Sequence, residues 1–269
     1  MALNDISLTA GMRSNLLSLQ NTVKLLDRTQ ERLSTGKKVN TAMDNPVSFF
    51  AAQSLNSRAS VIDSLKDAMG QAVQTVTAAD KGITAITAMI EQAKGIAQEA
   101  LSVDQQTDEF ASLVSRYNEI RTQLDTIAQD SGYKGKNLLT SDTMVVKFEG
   151  SHNLQVQGFD ATTTGLGISA AAWTNEAAID DSIIELDDAA VKLRSEASKL
   201  SGNLSIITVR QDFSTNMINT LIEGADKLTL ADANEEGANM LMLQTRQSLS
   251  TTALSLSAQA AQSVLRLVQ

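Results

Sequence analysis

A mainly α-helical fold is expected: a long antiparallel helical bundle or coiled coil with a small β-hairpin patch and paired terminal helices. Three observations predict it. Apolar residues recur at alternating four- and three-residue steps through most of the 269-residue chain, the spacing of a helix stripe. Only 3% of residues are aromatic, so the cores are thin helix–helix seams of Leu, Ile, Val and Ala rather than a ring-filled interior. One stretch alone, residues 143–168, changes its period from helical to alternating.

The elements follow in order. Met12, Leu16, Leu19, Val23, Leu26 and Leu33 form a heptad seam, broken only by Gln30, and no charge lies between Arg13 and Lys24. Gly36-Lys37-Lys38 closes this helix with a glycine and cations at its C-terminus. Asp44-Asn45-Pro46 is a start signal, capping residues followed by a first-turn proline. From there to Leu101 a stripe runs through Leu55, Ile62, Met69, Val76, Ile83, Ile90 and Ala97, with Gly70, Gly82 and Gly95 as points of bending or weakness. A third helix covers residues 108–129, and Ser131-Gly132 stops it ahead of a turn at 133–137. Met144, Val146 and Phe148, then Leu154 and Val156, alternate with polar or outward residues around a loop at 149–153, the signature of a hairpin. Residues 162–167 read as irregular. The last long helix starts near Thr174, with a break expected at Glu223-Gly224-Ala225-Asp226 before a terminal helix from about Asp232.

That terminal helix is unusual. Between Arg246 and Arg266 lie nineteen uncharged residues, and Leu249, Ala253, Leu256, Ala260, Val264 and Leu267 share one stripe. Surface helices normally spend their outer face on Lys and Glu, because charges are cheap in water and costly when buried. A long uncharged helix therefore expects protein on its polar side as well. It is no membrane span, since ten of the nineteen residues are Ser, Thr or Gln. The N-terminal seam is a shorter version of the same pattern. The two termini are expected to pair, leaving apolar surface for a partner outside the fold.

Composition excludes several classes. There is no Cys, hence no disulfide framework, thiol nucleophile or thiolate metal site, and the net charge of −9 disfavours nucleic acid and anionic membrane. No apolar h-region is visible in the opening residues, so export, if any, is expected by a route other than a cleaved signal peptide. His152 is the only histidine, too few partners for a zinc or general-base site. Glu176, Asp180, Asp181, Glu185, Asp187 and Asp188 form an acidic run that reads as a solvated helix face rather than a cation site. Gly165-Leu166-Gly167 lacks the strand–glycine loop–helix context of a nucleotide site. Met240 and Met242 fill seams, and Trp173 is expected to pin the hairpin region to the last long helix. No catalytic arrangement, metal site or cofactor is expected.

Residues 31–40 (ERLSTGKKVN) with Asp44, residues 133–139 (YKGKNLL) and the closing Val264-Leu265-Arg266-Leu267 together resemble the bacterial flagellins, in family order and over essentially the whole chain. The large variable insertion of many flagellins is missing; only about 141–172 could occupy its place. The resemblance implies a structural subunit that polymerises into an extracellular flagellar filament. It implies self-association, export unfolded by the flagellar export apparatus with an export chaperone, and growth under a filament cap. It divides the chain into an inner-core domain (1–40 and 231–269) and a helical bundle domain (41–230). Leu16, Leu19, Val23, Leu26, Leu33, Leu249, Leu256, Val264, Leu265 and Leu267 become the expected polymer interface. A hook–filament junction protein of the same superfamily and a helical adaptor or signalling module are the rival readings. Flagellins that stimulate Toll-like receptor 5 carry an Arg-rich segment and a contacting Glu. Here Gln92 and Lys94 stand where such members have Arg, while Gly95 and Arg116 stand where they have Glu, so weak receptor activation is expected.

Overall fold

The computed structural model describes residues 10–268, with side chains described as far as Ser263. Its elements are α1 (Ala10–Thr35), α2 (Pro46–Ala100), α3 (Asp108–Asp130), β1 (Thr143–Lys147), β2 (Asn153–Gln157), α4 (Thr163–Leu166), α5 (Glu176–Thr229) and α6 (Ala233–Val268). The chain divides into two compact units, residues 58–220 and residues 1–57 with 221–269.

In the unit of residues 58–220, α2, α3 and α5 bury their stripes against one another. Met69, Ile86, Ile90, Tyr117, Leu124, Ile179, Leu186, Leu193, Leu200 and Ile207 are among the largest fully buried side chains. Thr107 caps α3 by accepting from the Phe110 amide, satisfying one of the orphan donors of a helix start. Gly82 serves packing rather than bending. A Cβ there would lie 2.2 Å from Ser131 Oγ and 2.6 Å from Leu139 Cδ1, so its absence lets α2 approach the end of α3.

The end of α3 is organised by Asn137. Its amide nitrogen donates to the carbonyls of Ala128 (2.8 Å) and Gln129 (2.9 Å), and its Oδ1 accepts from the Leu139 amide at 2.9 Å. This sets Leu138 and Leu139, both fully buried, over the helices. β1 and β2 then pair antiparallel, with Met144 opposite Val156 and Val146 opposite Leu154. Val146 and Val156 point into the core, so the alternation read from sequence holds. A two-stranded hairpin is marginal alone in water, and this one is continuous with the helical core.

Residues 162–167, irregular by sequence, contain α4, a single capped turn within a strap of residues 159–173. Thr162 accepts from the Gly165 amide at its start, and Gly167 (φ +83°) ends it in the left-handed region that suits glycine. Polar latches hold the strap to the helices. Asp125 accepts from the Thr163 amide (2.6 Å) and hydroxyl (3.0 Å), Asn118 exchanges two bonds with the Ala171 backbone, and Glu185 accepts from the amide and hydroxyl of Ser169. Trp173 donates to Ser182 Oγ at 2.9 Å, which ties the strap to α5 as expected, and its ring also meets Phe110 and Tyr117 of α3 edge-on. The Tyr117 hydroxyl is buried with no hydrogen-bond partner among the described residues, and burial pushes its pKa up to about 12.

In the other unit α1 and α6 pack along each other, so the two terminal helices, far apart in sequence, do lie together. Asn45 Oδ1 accepts from the Ser48 amide at the start of α2, while Asp44 instead closes the preceding turn through the amides of Asn40 and Thr41. The break expected at 223–226 is not there: α5 continues to Thr229. Ala225 is buried and Gly224 faces Leu55 at ordinary contact distance, so this stretch packs as helix rather than stopping it. The chain turns instead at 230–232, where the Lys38 and Val39 amides donate to the Thr229 carbonyl and the Ala231 amide donates to the Gly36 carbonyl at 2.9 Å.

Candidate functional site

Among the described residues no catalytic constellation assembles. His152 sits in the hairpin loop, its Nδ1 3.1 Å from the Glu149 carbonyl oxygen, and lines a cavity of about 380 Å³ with Phe148, Arg210 and Phe213. The nearby Glu149 carboxyl is held below the usual carboxylate range by its hydrogen bonds from Arg58, the opposite of a general acid. Among the described residues no group of three His, Cys, Asp or Glu side chains converges to hold a metal ion. No described helix is long and apolar enough to cross a membrane.

What the structure does build is a pair of helices with surface to spare. On α1, Met12, Thr22 and Thr29 are buried, and Leu16, Leu19, Val23 and Leu26 are half-buried; Leu33 is exposed. Arg32 takes the inward place beside Leu33. Its guanidinium donates at 2.8 Å to Glu236 of α6, whose side chain is 8% exposed. A carboxylate that deep survives only because it is paired. Thr22 is satisfied locally, its hydroxyl donating to the Ser18 carbonyl at 2.8 Å.

On α6 the inward stripe is Glu236, Met240, Leu243, Gln247, Ser250, Leu254, Ser257 and Ala261, in regular four–three steps and all buried or half-buried. The stripe singled out from sequence lies one residue over. Leu249 is 66% and Leu256 61% exposed, and Met242, seven residues before Leu249, is exposed as well. A seven-residue step on an α-helix returns to within about 20°, so these three form a line. The side chains of Val264, Leu265 and Leu267 lie outside the described residues.

The helix therefore has two apolar lines about 100° apart. One is used inside the subunit and one is open. Sequence reading missed the inner line because Glu236, Gln247 and Ser250 interrupt it with polar atoms; a pairing partner for Glu236 at Arg32, 204 residues away, was the only signal available.

The remaining singled-out positions are on α2 and α3. Gln92, Gly95 and Arg116 are exposed, and nothing lies within 4 Å of where a Gly95 side chain would begin. Lys94 is half-buried and donates to Asp187 at 2.6 Å.

Residues 6–143 match the family model described as the bacterial flagellin N-terminal helical region. The chain belongs to the bacterial flagellin family. Flagellin FljM of Caulobacter vibrioides is 27% identical over 271 residues, covering 99% of both chains, and a flagellin of Brucella melitensis is 26% identical over 280 residues, covering 98% of this chain and 97% of its own. Among solved structures, a putative flagellar hook-associated protein from Vibrio parahaemolyticus aligns with a TM-score of 0.57 at 10% identity, covering 70% of this chain and 100% of its own, which shows a shared fold.

Flagellins are structural proteins, not enzymes, and they self-assemble into the flagellar filament outside the cell. This chain is such a filament subunit, and its end-to-end match to flagellins of the same short length favours that role over a junction protein or an adaptor.

Proposed function

We propose that this flagellin makes its filament contacts through the open line of α6, Met242, Leu249 and Leu256, continued by Val264 and Leu267, with Leu265 a further contact residue, and through the flank of α1 that ends at Leu33. One observation carries the reading: a helix without charge between Arg246 and Arg266 leaves a regular apolar line uncovered in the single subunit. Scattered exposed leucines are ordinary, but a line of them at heptad spacing is a seam awaiting a partner. Residues 1–40 and 231–269 then form the inner core of the polymer, around which residues 41–230 pack as a shell. Leu16, Leu19, Val23 and Leu26 hold α1 against α6 and so keep that line presented. Seeded polymerisation of the purified subunit, viewed by negative-stain microscopy, tests this. Elongation of filaments from seeds is the expected result, and a soluble finite oligomer would contradict it.

The same reading assigns the remaining partners. The chain leaves the cell through the flagellar export apparatus, escorted by an export chaperone, and adds beneath a filament cap. A chain lacking Cys and nearly lacking Pro suits passage unfolded.

Recognition by Toll-like receptor 5 is expected to be weak. Gln92 supplies an amide, Lys94 a point charge already engaged by Asp187, Gly95 nothing, and Arg116 an exposed cation where stimulatory flagellins offer an Arg fork and a carboxylate. Arg and Lys are not equivalent at bidentate contacts, and like-charge juxtaposition across an interface costs several kcal/mol. Disassembled subunit should leave a receptor-dependent reporter near background. Activation at the potency of a stimulatory flagellin would refute this assignment.

A further inference from the structure

The charge of the chain is unevenly placed. Residues 58–220 hold all of its acidic excess, whereas the other unit carries as many basic as acidic side chains. Within the acidic unit, one helix face combines charge with apolar surface. Ile184 and Val191, seven residues apart on α5, are 58% and 60% exposed. Asp180, Asp181 and Asp188 stand three or four residues from them, exposed on the same side, while Asp187 beside them is engaged by Lys94. Nothing within the described subunit covers this face.

An apolar pair framed by carboxylates fits a surface of apolar side chains framed by cations. The unit of residues 1–57 and 221–269 presents one. Met43 is 95% and Val47 79% exposed, with Phe50 also exposed one turn further along α2. The same first turn borders a cavity of about 390 Å³ lined by Arg28, Lys38, Asn45 and Ser48 among others. Arg28, Lys37 and Lys38 form no ion pair among the described residues; the Lys38 ammonium donates to a backbone carbonyl, that of Lys227, at 3.2 Å. Asp44, the carboxylate lining the cavity, accepts from the Asn40 and Thr41 amides and lies within electrostatic reach of Arg28 without a direct ion pair.

We propose that these two surfaces meet between successive copies of this chain, the Ile184–Val191 face of one docking on the Met43–Val47–Phe50 patch of the next, with Asp180, Asp181 and Asp188 opposite Arg28, Lys37 and Lys38. The inference rests on the reading of the chain as a filament subunit and specifies a contact separate from the α6 line. Charge complementarity selects a second copy as the occupant, since every copy carries both halves. The two halves are different surfaces, so the contact is head-to-tail and does not close, which propagates a polymer instead of ending in a dimer.

Charge reversal tests it. One chain carries Asp180→Lys, Asp181→Lys and Asp188→Lys, a second carries Arg28→Glu, Lys37→Glu and Lys38→Glu, and a third carries both sets. Circular dichroism reports folding, and the critical concentration for seeded elongation at low and high salt reports the contact. Each single set is expected to raise the critical concentration about tenfold or more at low salt, less at high salt, because close charges are screened only partly. The doubly reversed chain is expected to return to within about threefold of the unaltered one, its complementarity restored. Should a reversed chain lose helicity, Asp→Asn at the three acidic positions serves instead, with an expected rise of about threefold. Unaltered critical concentrations in the single sets would overturn the docking, and so would failure of the doubly reversed chain to recover. Either leaves the filament reading standing, whereas failure of the unaltered chain to elongate on seeds overturns both.

Discussion

Leu256→Asp is expected to abolish filament formation while leaving the subunit folded. In the single chain Leu256 is 61% exposed, so an aspartate there meets water and breaks no packing. At the proposed filament contact the same position lies in a seam that excludes water, where an unpaired carboxylate costs several kcal/mol. Since about 1.4 kcal/mol is a factor of ten in an equilibrium, a loss of that size puts the critical concentration beyond any accessible protein concentration. The uncharged stretch offers no Lys or Arg between Arg246 and Arg266 to compensate. Sedimentation measures the polymer and circular dichroism the subunit. Filaments formed by this variant at ordinary concentration would show that the open line of α6 is not the interface.

The second large effect falls on the subunit itself. Trp173→Ala removes a 6% exposed ring that joins three parts of the core, α3 through Phe110 and Tyr117, α5 through Ser182, and the strap in which it stands. Large-to-small substitution of a buried aromatic typically costs about 3–5 kcal/mol, part of it the cavity left behind. Here the Ser182 hydroxyl would also lose its indole donor, and water reaching the cavity would meet the unpartnered Tyr117 hydroxyl. Denaturant unfolding followed by circular dichroism should show a shift of that order in residues 58–220, together with the return of the Tyr117 pKa from about 12 toward the ordinary tyrosine value. A change below about 1 kcal/mol would mean the strap is held by its polar latches alone.

How much of this was legible from sequence depends on the range of the interactions. The seams of α2, α3 and α5 were, because each stripe is encoded by the residues of its own helix. So were the turn at Asn137 and the hairpin, whose signals lie within a few residues of one another. The strap was not. Thr163, Ser169 and Ala171 are fixed by Asp125, Glu185 and Asn118, up to 53 residues away, and nothing local announces such partners. The supposed break at Gly224 failed for a related reason. A glycine that ends a helix and one inside a packed helix are alike in sequence until the burial of Ala225 beside it is seen. On α6 the outward line was read correctly as apolar, but the inward line escaped because Glu236 reads as solvated until Arg32 is placed against it.

The central claim is that the open line of α6 is exposed in the subunit and buried in the filament. Amide hydrogen exchange on residues 241–263, measured on monomer and on assembled filament, tests it most directly. In the monomer a helix with so few buried contacts should exchange quickly, because isolated or thinly packed helices are marginal in water. In the filament the same amides should be protected by orders of magnitude, together with those of residues 10–35. Equal protection in both states would contradict the account, since it would place the partner of α6 entirely within the single subunit.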